Sequence, residues 1–97
     1  MQLTIPERFQ NDIDIAVKIL KQEGCESIYL FGSLVTGNIH ENSDIDIGIK
    51  GLPKGKFFKT LGRVSSSTEN EVDIVNFDFS KDFFSLLTRI GEVIKIG

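Results

Sequence analysis

Apolar residues recur at Phe9, Ile13, Val17 and Leu20, three or four positions apart, and this spacing predicts a first helix that Pro6 opens and Gly24 ends. From Ser27 to Phe31 the chain reads as a strand, and Ile28, Tyr29, Leu30 and Phe31 make it apolar on both faces, as a central position requires. Gly32-Ser33 closes it. Between Gly37 and Ser43 the residues turn polar and loop-like, and then Asp44-Ile45-Asp46-Ile47-Gly48-Ile49 alternates with a period of two. That is the clearest strand in the chain. Gly51, Pro53 and Gly55 mark a connection, Phe57 to Val64 a short helix carried by Phe57, Phe58 and Leu61, and Ser65 to Thr68 a loop. Glu71 to Phe77 alternates again, with Val72, Ile74 and Asn76 on one side and Asp73, Val75 and Phe77 on the other. Ser80 is a candidate N-cap for a helix through Phe83, Leu86, Leu87 and Ile90 that Gly91 ends, and Val93 to Ile96 is a candidate last strand.

A chain of 97 residues that is 40% hydrophobic has room for one globular domain, residues 1–97, with one modest core. An activity that needs a platform besides its catalytic core must borrow it, so a partner protein or a homo-oligomer is expected. The single Cys25 excludes an intramolecular disulfide and a CxxC zinc site, and reads as a small half-buried residue at a helix end. No stretch approaches the roughly 20 apolar residues needed to cross a bilayer, and Met1 to Phe9 lacks the features of a signal peptide. A cytoplasmic protein without a membrane partner is expected. The net charge of -3 argues against non-specific binding to long nucleic acid. Lys50, Lys54, Lys56, Lys59 and Arg63 crowd one segment, where a solvated helix face explains them more simply than a phosphate-facing edge.

Asp44 and Asp46 sit two apart on a strand, so both project from one face while Ile45, Ile47 and Ile49 face the core. Asp73 is a third candidate, anchored between Val72 and Ile74. If the two strands are neighbours, facing β-carbons start about 4.5 to 5.5 Å apart, close enough for three carboxylates to share metal. Like charges at that range resist simultaneous ionisation, and a hard divalent cation removes the conflict. Magnesium keeps coordination positions for water and phosphate, which suits phosphoryl or nucleotidyl transfer, and two ions can stabilise both the attacking and the leaving oxygens. Gly32 removes a side chain where a triphosphate nears the backbone, and Ser33 offers a hydroxyl and an amide. The signal lies in order, spacing and strand context, because neither Gly-Ser nor Asp-x-Asp is informative alone. Asp12-Ile13-Asp14-Ile15 has a similar composition, but on a helix residues two apart are rotated by about 200° and point apart. Asp12 and Asp14 therefore read as surface charges, and His40 as a solvated loop residue.

Leu30-Phe31-Gly32-Ser33, the ten residues from Leu34 to Ser43, the run Asp44-Ile45-Asp46-Ile47 and the later Val72-Asp73-Ile74-Val75 resemble the nucleotidyltransferase superfamily that includes DNA polymerase beta and kanamycin nucleotidyltransferase. The likeness is greatest to its short members, the minimal nucleotidyltransferases. This resemblance implies an α+β fold, a small mixed β-sheet flanked by helices, and transfer of a nucleoside monophosphate, AMP foremost, from a nucleoside triphosphate such as ATP. It implies that Asp44 and Asp46 are metal ligands, that Asp73 is a metal ligand and activates the acceptor hydroxyl, and that two Mg2+ ions take part. Gly32, Ser33 and Ser43 would contact the nucleotide. Short members also resemble the antitoxin half of a toxin-antitoxin pair whose other half is an all-helical HEPN-domain protein, and some transfer AMP onto it. The chain departs from the pattern at Thr36, where many relatives carry Arg before the second Gly of the loop; Lys50 or Lys54 would have to compensate. A rival reading keeps the fold but acts by binding and capping a partner protein with little or no catalysis.

Overall fold

In the computed structural model, which describes residues 5–97, the elements run as α1 (Glu7–Gln22), β1 (Ser27–Phe31), α2 (Ser33–Thr36), β2 (Ile45–Lys50), α3 (Phe57–Ser67), β3 (Val72–Asn76), α4 (Lys81–Ile90) and β4 (Val93–Lys95). The first four residues of the Met1–Phe9 stretch lie outside that range. The four strands form one sheet in the order β3-β2-β1-β4. β1 runs antiparallel to both β2 and β4, whereas β2 and β3 are parallel. The strand that is apolar on both faces thus has a neighbour on each side, and the last apolar run pairs within the chain, from Tyr29 opposite Lys95 to Phe31 opposite Val93.

Alternation along the strands sorts the side chains into two layers. On one face Ile28, Leu30, Ile45, Ile47 and Ile49 are fully buried against α1 and α3. On the other, Tyr29, Phe31 and Phe77 meet Phe84 and Leu87 of α4. The Phe77 ring rests on the bare backbone of Gly48, where any β-carbon would collide with it. Asp46 and Asp73 lie on this second face, toward the start of β2 and β3, beyond the aromatic cluster.

α3 runs three residues past its expected end at Val64. In the added turn Ser66 Oγ donates to the Arg63 carbonyl and Thr68 Oγ1 to that of Val64, so hydroxyls supply partners to carbonyls at the helix end. Ser80 stands at the N-cap of α4 without a side-chain hydrogen bond, and Gly91 ends that helix in the left-handed conformation. Cys25 is fully buried rather than half-buried. Among the described residues no helix is long and apolar enough to cross a membrane.

Two charged groups hold the layers in register. Glu23 is buried at the end of α1, with Arg63 Nη1 at 2.6 Å and the ammonium groups of Lys56 and Lys59 at 3.7 and 3.8 Å. The Arg63 hydrogen bond, helped by the charges of Lys59 and Lys56, keeps this carboxyl below its ordinary pKa against the opposing effect of burial. Three of the five clustered cations are therefore spent on clamping α3 to α1.

Asp12 corrects the expectation of a surface charge. It is 2% exposed, and its carboxylate accepts the backbone N–H groups of Glu69 and Asn70 at 3.1 and 2.7 Å and the Asn70 side-chain amide at 2.8 Å. Asp14 is exposed, as read. Burial works to raise the pKa of Asp12, but the three hydrogen bonds outweigh it and hold the carboxyl below the ordinary value. Its contribution is present above the unfolded-state pKa of about 3.9 and is lost as pH falls through the lower folded value. Asp12→Ala removes three hydrogen bonds to a buried carboxylate, so urea denaturation at pH 7 should show a loss of about 2 to 3 kcal/mol. The gap between variant and wild type should close as the pH drops below about 4. A difference that persists unchanged in acid would contradict this role.

Candidate active site

The three acids reach one face by different routes. Asp46 is the second residue of β2, paired with Phe31 of β1 on one side and with Asp73 of β3 on the other. Registered residues of adjacent strands project to the same face from backbones about 4.8 Å apart. Asp44, two residues earlier, stands just before the strand begins.

Gly32 follows Phe31 with φ +74 and ψ -151, a region that residues with a β-carbon avoid. The carboxylate of Asp46 lies directly over it: a β-carbon on Gly32 would collide with Oδ2 and stand 2.9 Å from Cγ. Glycine is required here twice, by backbone conformation and by contact with the acid. The turn beyond it is tightly bonded, since the N–H groups of Val35 and Thr36 both donate to the Gly32 carbonyl at 3.0 Å and that of Gly37 to the Ser33 carbonyl at 2.9 Å. Leu34 and Val35 of α2 anchor the turn in the core and leave Ser33 half-buried at its start.

Burial raises the pKa of Asp46, and the charges of Asp73 and then Asp44 raise it further. The acids therefore share one field. They do not form a finished cage, for among the described residues no three acidic, His or Cys side chains stand close enough together to hold a metal ion. The donor set is all oxygen, without thiolate or imidazole, and that chemistry fits a hard divalent cation completed by water and phosphate oxygens. A cation would also reverse the penalty on ionising Asp46.

Ser43 is buried, and its hydroxyl oxygen accepts the His40 N–H at 2.9 Å while its own N–H donates to the His40 carbonyl at 3.1 Å. This reciprocal pair closes the loop that delivers Asp44 to the sheet. The His40 residue is exposed, and its carbonyl also takes a hydrogen bond from Arg8 at 2.8 Å. Arg8 and Asp12, both on α1, thus steady the two segments that lead into Asp44 and Asp73. A signal for Asp12 existed in the periodicity, because it lies three residues after Phe9 and four before Ala16, on the buried stripe of α1.

Lys50 and Lys54 do not stand in for a cation at Thr36. Lys50 pairs with Ser27 at the far end of β2, four residues and about 13 Å from Asp46, and its ammonium sits 3.5 Å from the centroid of the Phe84 ring. Lys54 lines a cavity of about 330 Å3 with Asn76 and Phe79, past the end of β3 opposite to Asp73. None of the three acids borders that cavity.

The model of the family described as "Polymerase beta, Nucleotidyltransferase" matches residues 16–95, a span that contains all three acids and the Gly32-Ser33 turn. Among solved structures, a chain of a toxin-antitoxin complex crystallised with AMP-PNP is 29% identical with a TM-score of 0.55, over 75% of this chain and 59% of that one. A mutant of the toxin-antitoxin pair MntA-HpeT gives 29% and 0.55 over 70% of this chain and 58% of that one. The chain thus spans under three-fifths of the length of either. Among curated proteins none matches. A family match across most of the chain and acids brought into register by the sheet lead to one assignment: the chain belongs to the polymerase beta-type nucleotidyltransferase family.

Proposed function

We propose that the chain transfers AMP from ATP to an acceptor hydroxyl, with Mg2+ held by Asp44, Asp46 and Asp73. The observation that carries this reading is the seating of Asp46 on the bare backbone of Gly32 in register with Asp73. A triphosphate lying along Gly32 and Ser33 brings its α-phosphorus beside the acids. Asp73, exposed where Asp44 and Asp46 are half-buried, is the carboxylate that an acceptor can approach. It takes the proton of the attacking hydroxyl as the new oxygen–phosphorus bond forms, and the bond from the α-phosphorus to the bridging oxygen breaks to release pyrophosphate. Two Mg2+ ions, when bound, neutralise the triphosphate and the departing pyrophosphate.

The donor and acceptor classes are supported by what the similar structures contain, AMP-PNP in one and a two-protein toxin-antitoxin assembly in both. The acceptor proposed is a partner protein of the helical HEPN type, in the cytoplasm. One observation favours the rival reading of a weak or inactive capping protein: Thr36 is uncharged, and Lys50 and Lys54 lie away from the turn.

Calorimetric titration of Mg2+ and ATP into wild type and Asp44→Asn separates the two readings. Catalysis predicts metal-dependent binding of ATP that the substitution abolishes, and a capping protein shows none in either. With labelled ATP, Mg2+ and the partner, label should appear on the partner, and Asp46→Asn should reduce the transfer by about 10³-fold. Unlabelled partner with intact ATP binding would remove catalysis from the reading.

Asp46 makes a second, independent prediction. Its raised pKa means that the stability associated with the protonated form is present below about pH 3.9 and is lost as pH rises through the elevated folded value. Asp46→Asn should therefore raise the metal-free melting temperature at pH 7 by a few degrees and abolish the further rise that Mg2+ produces in wild type. An equal Mg2+ response in both proteins would show that Asp46 holds no metal.

A further inference from the structure

α4 presents more apolar surface than its own sheet covers. Phe83, Leu86 and Ile90 are 38, 41 and 51% exposed, three and four residues apart along one stripe, and only Leu87 of this helix is buried. Asp82 and Arg89 flank the stripe on one side, both exposed, and neither has an ion-pair partner among the described residues. They are seven residues apart, so two turns and about 10.5 Å separate them along the axis. Each sign also suits the dipole at its end of the helix, but the dipole does not require the two charges to share a flank.

A helix with an acid near its start and a base near its end on the same flank is complementary to itself. Laid antiparallel on a copy about a two-fold axis near Leu86, Asp82 comes opposite Arg89 of the partner subunit, and the pair forms twice by symmetry. Phe83 then faces Ile90 of the partner subunit, and Leu86 faces Leu86 of the partner subunit. We propose that α4 is a homodimer interface and that its occupant is a second copy of this chain. The mirrored charges favour a copy over an unrelated protein, for which apolar complementarity alone would suffice. A two-helix contact of ten residues is small for a protein interface, so a weak, concentration-dependent dimer is the expected state.

Sedimentation equilibrium of the purified chain from about 10 to 300 µM tests this without nucleotide or metal, so its outcome is independent of the catalytic reading. The weight-average mass should climb from monomer toward dimer over that range. Leu86→Glu should remain monomeric, with a circular-dichroism melt like that of wild type because Leu86 is already largely exposed. Asp82→Arg alone should weaken association about tenfold or more by setting like charges against each other, and Asp82→Arg combined with Arg89→Asp should restore it. A wild type that stays monomeric throughout overturns the proposal, whether or not α4 binds a different protein. So does a double reversal that associates no better than Asp82→Arg.

Discussion

A carboxylate half withdrawn from water, with two more carboxylates beside it, is unstable by itself, and the arrangement of this molecule follows from holding Asp46 in that state. Burial and the charges of Asp73 and Asp44 all push its proton affinity up. The fold resists because Asp46 is flanked in its strand by Ile45 and Ile47, both fully buried on the opposite face. Each such side chain contributes about 1.5 to 3 kcal/mol relative to exposure, enough to hold the strand in register although its polar face is unfavourable. Gly32 completes the arrangement by leaving room for the acid and nothing else.

The segments that lead into the acids carry their own restraints. Asp12 grips the amides of Glu69 and Asn70, four and three residues before Asp73, and the Ser43–His40 pair closes the loop just before Asp44. Both restraints reach back to α1, since Arg8 holds the His40 carbonyl and Asp12 stands one turn further on. A buried polar group with its partners satisfied specifies geometry as apolar packing cannot, and each of these acts at the entrance to a strand. The first helix, which carries none of the three acids, thereby determines where two of them begin.

The two faces of the sheet have separate work. One is sealed by α1 and α3, pinned together by the Glu23 carboxylate and the cations around it. The other divides into an aromatic half under α4 and an acidic half at the Gly32 turn. Lys56, Lys59 and Arg63 of the basic segment serve the first face, whereas Lys50 lies over the Phe84 ring on the second, away from the acidic half.

Local pattern was enough to reveal the strands, the α4 helix with its glycine stop, and the three aspartates at family spacing, because period-two alternation and turn residues act over a few positions. It also showed that Asp73 shares a side of its strand with Val75 and Phe77, which follows from the pleat alone. That Asp73 stands beside Asp46 depended on β2 and β3 being neighbours in parallel register, which chain order does not encode. The fate of the charges was tertiary as well. Asp12 looked like solvent-facing charge until the α3–β3 turn brought two amides to it, and Lys50 looked available to a phosphate until the antiparallel register carried it to the opposite end of the sheet. A charge has no preferred neighbour within its own few residues, so its partner is decided only when distant segments meet.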